Sequence, residues 1–450
     1  MPTIDQIIAD HSVTYATVAT SDTNGLLRGQ FVSQKGLRGI AESGLGMSPV
    51  TMALDPQDVV QPLPGVSDDS ADFHDGMLTL DLSTAREIPW HAEGKRLLIL
   101  ADYAGKEAAW CPRRIFRAVL ARAHAAGFSP KYGYELEYTL FDETPQSARE
   151  KGYRNLRTAT NHPSHDLVLY QTIQSDWYDD LTAMCDPLKI DLYKAHEEIG
   201  GGFMEVCLAA GRDLEPADQA IILRNFLKAL AVRKGKMLTF MPRWSDQVDS
   251  QSTHIHMSLV NRDNGQPVFH DPSAPHGMSV TFRHFLGGLQ KHLGDAMLIM
   301  APSVNAYRRF APGTFAPPAL TWGFENRTTG LRIVGESAAS LRVENRLPGS
   351  DSNPYLTAAA MLAAGLEGIA RQTEPVPECR GNGYAQDIDP DLLFPRDMAS
   401  SIARFRASDM LRDWLGAPFV EGFASTRQGQ LDEFARKVPD VELARFLELS

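Results

Sequence analysis

At 450 residues, with 43% hydrophobic and 22% charged side chains, the chain has the composition of a folded globular protein. Its length suits two domains, or one large domain with an appendage. The net charge is −12 and no Lys- or Arg-rich run occurs, which argues against nucleic acid and anionic membranes as partners. Cys111, Cys185, Cys207 and Cys379 follow no metal-binding or disulfide spacing, and no apolar run reaches the length of a membrane span. Residues 1–5 do not open a signal peptide, so a cytoplasmic location with reduced thiols is expected.

Residues 14–20 alternate as a strand does, residues 21–25 have turn chemistry, and residues 26–33 return as the partner strand. An acidic loop spans 67–76. Residues 77–82 and 96–102 are further strands, the second nearly all apolar and therefore buried. A small sheet domain ending near Asp102 is predicted. Pro112 suits a first helical turn, and Ile115, Val119, Ala123 and Ala126 recur at helical spacing until Gly127. The aromatic-rich run 132–141 reads as a strand whose alternation puts Glu135 and Glu137 on one face. Residues 144–165 form a polar, turn-rich loop and residues 176–191 a helix. The triplet Gly200-Gly201-Gly202 marks a tight turn or a close backbone approach, with Glu197 and Glu205 on either side able to converge. Residues 217–234, 282–293 and 352–371 are helical, 238–241 is strand-like, and the tail 398–450 is helical and charged. The 352–371 helix is rich in small residues and should pack tightly.

Two later runs repeat the pattern of the Glu135–Glu137 strand. His254-Ile255-His256 and Arg342-Val343-Glu344-Asn345-Arg346 also carry ionisable groups at i and i+2. Three strands that each present charge to one face predict a polar funnel. Glu135, Glu137, Glu197, Glu205, Glu344 and His254 are mostly hard oxygen donors, which favour two Mg²⁺ or Mn²⁺ ions over zinc. Arg327, Arg332, Arg342 and Arg346 beside them suit transfer of a phosphoryl group from a nucleotide, a step governed by positioning and charge neutralisation. A structural Arg–Glu network and a satisfied core histidine account for several of the same residues, so this reading alone leaves both open.

The motifs at 133–141, 196–205, 239–242, 254–259, 305–313, 326–332 and 342–349, followed by Asn353-Pro354-Tyr355-Leu356, resemble the glutamine synthetase family in its order. The forms Val343-Glu344-Asn345-Arg346-Leu347-Pro348-Gly349 and Trp322-Gly323-Phe324-Glu325-Asn326-Arg327-Thr328 look most like its γ-glutamylamine branch, the ligases that join glutamate to polyamines or alkylamines. The resemblance implies an α+β fold: a β-grasp N-terminal domain over residues 1–105 and a glutamine synthetase-like catalytic α+β domain over 106–450. It implies Glu137, Glu197 and Glu205 at a first metal site and Glu135, His254 and Glu344 at a second, with two to three Mg²⁺ or Mn²⁺ ions. It further implies Arg309 and Arg346 on the substrate carboxylates and transferred phosphoryl, Arg327, Arg332 and Arg342 on the ATP phosphates, and His256 and Ser258 on the nucleotide side. Arg309, Arg327, Arg346 and Glu344 would be the catalytic set. The implied assembly is a homo-oligomer, a dodecamer of two stacked hexameric rings with sites between subunits.

Three departures bear on the substrate. The family's ammonium-binding glutamate is replaced by Phe315, which can line a pocket for the carbon skeleton of an amine. The N-terminal acidic loop is missing, with Ala53-Leu54-Asp55 its nearest counterpart. The glutamate-binding Asn-Gly pair appears as Asp249-Ser250, which leaves open whether the acid is glutamate or a close analogue. The expected activity is an ATP-dependent ligase forming a γ-glutamylamide from an organic amine through an acyl phosphate. An ordinary glutamine synthetase and a catalytically silent ring-forming relative are the alternatives.

Overall fold

The computed structural model describes residues 3–90, 95–311 and 313–449. The expected hairpin is present as β1 (Val13–Ser21) and β2 (Leu27–Ser33), paired antiparallel from Tyr15↔Ser33 to Ser21↔Leu27. With β3 (Leu45–Met47), β4 (Gly76–Leu80), β5 (Arg86–Glu87) and β6 (Lys95–Tyr103) it forms a six-stranded sheet in the order β2-β1-β6-β4-β3, β5 also pairing with β6. The parallel β1–β6 pair at its centre gives the β-grasp arrangement. Strand β6 explains its own apolar sequence. Leu97, Ile99 and Ala101 join the N-terminal core, while Leu98 and Leu100 pack into the larger core of the rest of the chain. A strand buried on both faces loses its polar alternation.

Two helices of the N-terminal part were not foreseen: α1 (Ile4–His11) and α2 (Gln34–Ser43). The first rests on a reciprocal cap between Thr3 and Gln6. The second carries two glycines, Gly36 and Gly39, which mask its periodicity.

The expected helix after Pro112 is α3 (Pro112–Ala125). At its first turn Arg113 is buried among three carboxylates, with Nε 2.8 Å from Asp218, Nη1 3.1 Å from Asp102 and Nη2 2.9 Å from Asp81. This hub joins the N-terminal sheet to helices α3 and α7 (Glu215–Arg233). Residues 144–165 are not wholly loop, since Thr144 and Ser147 cap a short helix, α4 (Pro145–Glu150). Helices α5 (Val168–Ile173) and α6 (Ser175–Cys185) follow, the latter ending six residues before the expected boundary because Pro187 cannot continue it. The 217–234 helix is α7 (Glu215–Arg233).

A nine-stranded sheet is the scaffold of the larger, C-terminal part. Its path is β13 (Trp322–Phe324), β14 (Leu331–Val334), β15 (Arg342–Asn345), β12 (Thr253–Asn261), β7 (Phe128–Phe141), β9 (Phe203–Leu208) and β8 (Leu192–Glu197). The short β10 (Gly211–Arg212) and β11 (Met237–Thr239) pair with the two ends of β7. Helices α3, α7, α8 (Val280–His292) and α10 (Pro354–Arg371), with α9 (Met297–Met300) beside them, share one hydrophobic core with its back face. The small residues of α10 do pack tightly: a Cβ on Gly368 would lie 2.3 Å from the His284 carbonyl of α8. The tail forms helices Met398–Ala407, Ala417–Ala435 and Asp440–Phe446. Among the described residues, no helix is long and apolar enough to cross a membrane.

Candidate active site

Strand alternation divides the chemistry from the core. On β7, Tyr132, Tyr134, Leu136, Tyr138 and Leu140 enter the hydrophobic core, which leaves Glu135 and Glu137 on the opposite face. On β12, Ile255, Met257 and Leu259 turn inward, so His254 and His256 point the other way. Register then assembles the set. His254 lies opposite Glu135, Glu137 opposite Glu205, and Glu344 opposite both His256 and Arg332. Above this face is a cleft of about 1450 Å³.

The groups are close enough to act together. His254 Nδ1 is 3.3 Å from Glu135 and 3.4 Å from Glu344, and His256 Nε2 is 3.2 Å from Glu135. The Ser252 amide and hydroxyl both donate to Glu137, at 2.6 and 2.7 Å. Glu344 sits between Arg346 at 2.6 Å and Arg332 at 3.2 Å. Burial pushes the Glu344 carboxyl up, but Arg346 and the two histidines outweigh it and hold the group at about 2. Burial also raises Glu135, yet its bonds to His254 and His256 carry it well below the carboxylate range. Glu205 goes the other way: burial and the charges of Glu135 and Glu137 push it up to about 7. Burial raises Glu137 as well, with Glu198 adding to the effect. Carboxylates packed so closely that their neighbours' charges push Glu205 up are what a bound cation would relieve.

The donor set fits divalent cations. Three groups of side chains each bring ligand atoms within 4.8 Å of one another: Glu135/Glu205/His254, Glu135/His256/Glu344 and His196/Glu198/Glu205. Glu197, expected among these ligands, is not with them. It pairs with Met204 while His196 pairs with Glu205, so strand alternation sends its side chain through to the core face. There it is 0% exposed beside Tyr178, and neither oxygen has a hydrogen-bond partner. Glu198, one residue on, faces the cleft instead. The glycine triplet makes the turn that follows. Gly202 has φ +66°, and a Cβ there would lie 2.3 Å from the Leu140 carbonyl.

The arginines divide into two positions. Arg327, Arg332, Arg346 and Arg309 line the cleft. Arg327 has no hydrogen-bond or ion-pair partner among the described residues. Arg309 is buried and donates to the Leu347 carbonyl at 2.7 Å, its Nε unpaired. Arg342, His256 and Ser258 lie beyond the cleft lining along the same sheet: Arg342 Nε donates to His256 Nδ1 at 3.1 Å, and Ser258 to the Lys131 carbonyl at 3.4 Å. Asp249, Ser250 and Phe315 do line the cleft, Ser250 donating to the Thr314 carbonyl at 3.2 Å. Asp55 instead organises its own turn, accepting from the amides of Gln57 and Val59 at 2.8 and 2.9 Å. Sequence reasoning missed His196, Glu198, Asp166, Tyr384 and Arg396 in the lining. Of these only His196 and Glu198 carried a signal, as the residues flanking Glu197 that share the opposite phase of the strand.

The glutamine synthetase catalytic domain matches residues 109–446. The chain is 31% identical to the type-1 glutamine synthetase 2 of Dictyostelium discoideum over 97% of its own length and 84% of that protein. It is likewise 31% identical to a γ-glutamylethanolamide synthetase of Streptomyces coelicolor, over 98% of its length and 94% of that protein. A solved GmaS–ADP complex superposes with a TM-score of 0.86 at 24% identity, over 99% of this chain and 100% of that one, and so shares the fold. The chain is therefore a member of the glutamine synthetase family and a carbon–nitrogen ligase.

Proposed function

We propose that this ligase uses ATP to activate the γ-carboxylate of glutamate, or of a close analogue, and transfers it to an organic amine rather than to ammonia. Glu135, Glu205, His254, His256, Glu344, Glu137 and Glu198 would hold the divalent cations, with Glu198 in the place first expected of Glu197. Bound there, the cations would neutralise the transferring phosphoryl group. Arg327 and Arg332 face the ATP phosphates, Arg327 supported by its unpaired guanidinium. Arg346 and Arg309 hold the acid substrate, and Arg346 also keeps Glu344 ionised. The neutral amine attacks the acyl phosphate, the C–N bond forms, phosphate leaves with the electron pair of the broken C–O bond, and the nitrogen gives up one proton to solvent.

The observation that carries the amine reading is Phe315. It stands in the cleft at φ +53° and 55% exposed, where the family resemblance puts an ammonium-binding carboxylate. A phenyl ring cannot hold NH₄⁺ by charge, while burying an alkyl body against it contributes about 1.5–3 kcal/mol. The name of the Streptomyces relative, an ethanolamide synthetase, supports the same class of acceptor. A homo-oligomer belongs to this reading. The exposed apolar side chains of Val441, Leu443 and Leu447 on the C-terminal segment would gain from burial between subunits. Phosphate release measured with glutamate and ATP across a panel of amines tests the function. Release with at least one organic amine above the ammonium rate supports it, and release with ammonium alone contradicts it.

A further inference from the structure

A second cavity, of about 510 Å³, lies between the 81–86 segment of the N-terminal sheet, helix α3 and the start of α7. It shares no lining residue with the catalytic cleft. Most of its charged walls are already paired with one another. Arg113 spends its guanidinium on Asp81, Asp102 and Asp218, and Arg117 donates to Asp81 and Asp102. His124 Nε2 lies 3.0 Å from Asp213. Two lining groups of opposite charge are left over. Arg86, on β5, is 6% exposed, and its one bond among the described residues runs from Nη1 to the Leu188 carbonyl at 3.3 Å. It makes no ion pair among those residues. Burial pulls its basicity below the usual guanidinium value, and Asp218 and Glu215, acting from a distance, offset this only in part. Glu215, in the first turn of α7, accepts a 3.3 Å bond from Gln219 and has no cationic partner among the described residues. A buried guanidinium without a counter-ion is costly until a polar partner meets it.

We infer that this cavity is a second ligand site, which takes a small zwitterion with its carboxylate on Arg86 and its ammonium group on Glu215. A guanidinium meets a carboxylate with two parallel N–H bonds, and a carboxylate matches an ammonium as a point charge. A ligand with one charge satisfies only one of the two groups: a simple carboxylate leaves Glu215 unmatched, and a simple amine leaves Arg86 buried and unpaired. The volume lies in the range of small-molecule sites. Arg86 belongs to the N-terminal sheet and Glu215 to α7, so a ligand held by both clasps the two parts of the chain together. Because the cavity is separate from the cleft, the inference stands apart from the choice of amine or ammonia as acceptor.

Isothermal titration of the full-length protein with β-alanine is the test, with propionate and ethylamine as matched ligands that each lack one charge. The amino group of β-alanine is not α to its carboxylate, which sets it apart from the acid substrate of the cleft. β-Alanine should bind, and propionate and ethylamine should bind at least about tenfold more weakly, the scale of one hydrogen bond to a charged group. Glu215→Gln, at an exposed position, should keep the fold and the ligase turnover and weaken β-alanine by about tenfold or more. Arg86→Leu should weaken it likewise, and Glu215→Gln decides the matter if Arg86→Leu does not fold. β-Alanine should also raise the melting temperature of the wild type and leave that of Glu215→Gln unchanged. Failure of β-alanine to bind at millimolar concentration, binding no tighter than propionate, binding untouched by Glu215→Gln, or displacement by glutamate would each overturn the site. Arg86 would then be a tether for the 187–188 turn.

Discussion

Glu197 and Glu198 are adjacent in the chain yet face opposite sides of one sheet: Glu197 is sealed in the core without a partner, and Glu198 opens on the cleft 3.2 Å from His196. An unpaired buried carboxylate is a liability of about 1–3 kcal/mol. Glu197→Leu should therefore raise the urea midpoint and leave turnover intact. Glu198→Ala should abolish Mg²⁺-dependent turnover in a folded protein. Loss of activity in Glu197→Leu with an active Glu198→Ala would reverse the assignment.

Glu205, like Glu135, belongs to two of the three donor groups, so its removal should weaken cation binding at both. Isothermal titration with Mg²⁺ and a non-hydrolysable ATP analogue should show Glu205→Ala binding at least roughly tenfold more weakly, the range of losses for altered metal sites. Circular dichroism should stay native, because the side chain fills a cleft wall and not the core. Unchanged cation affinity would remove Glu205 from the site.

Much of this site was legible because its strands keep a period of two. Glu135, Glu137, His254, Glu344 and Arg346 announced their face once the alternating aromatic and aliphatic residues claimed the other. The phase of β8 was not legible. In Ala195-His196-Glu197-Glu198 either acid can face the cleft, and only pairing with β9, which sets His196 opposite Glu205, decides it. Tyr384 lay beyond reach for another reason. It sits in a loop 69 residues after Phe315, and only the tertiary fold brings the rings together. The apolar run of β6 was read correctly as buried, although the sequence cannot say that it is buried on both sides.

The Arg113 hub gives the junction between the two sheets an acid-sensitive element. Burial raises Asp81, but the Ser83 hydroxyl and Arg113 more than offset this and hold it at about 2, below its ordinary 3.8. Folding thus favours the ionised form. The contribution is complete above about pH 4 and lost as pH falls toward 2. Asp81→Asn should flatten the acid limb of the stability curve in that window. Arg113→Leu, which strands buried carboxylates, should cost about 3–5 kcal/mol at neutral pH in urea denaturation. An unchanged acid limb in Asp81→Asn would show that the hub does not titrate with folding.

Phe315→Glu should lower kcat/KM for the best organic amine by roughly tenfold or more, through lost apolar contact and a carboxylate set against carbon. A full gain toward ammonium is not expected, since the N-terminal acidic loop is still missing. Kinetics with both acceptors in the variant check this. An unchanged preference would make the ring mere packing.

Direct competition between an organic amine and ammonium tests which acceptor the enzyme uses. The protein is supplied with glutamate, ATP, Mg²⁺, and equal concentrations of ¹⁵N-ammonium and n-propylamine, and the amide products are weighed by mass spectrometry. γ-Glutamylpropylamide is the expected dominant product, with little labelled glutamine. Labelled glutamine as the principal product would contradict it.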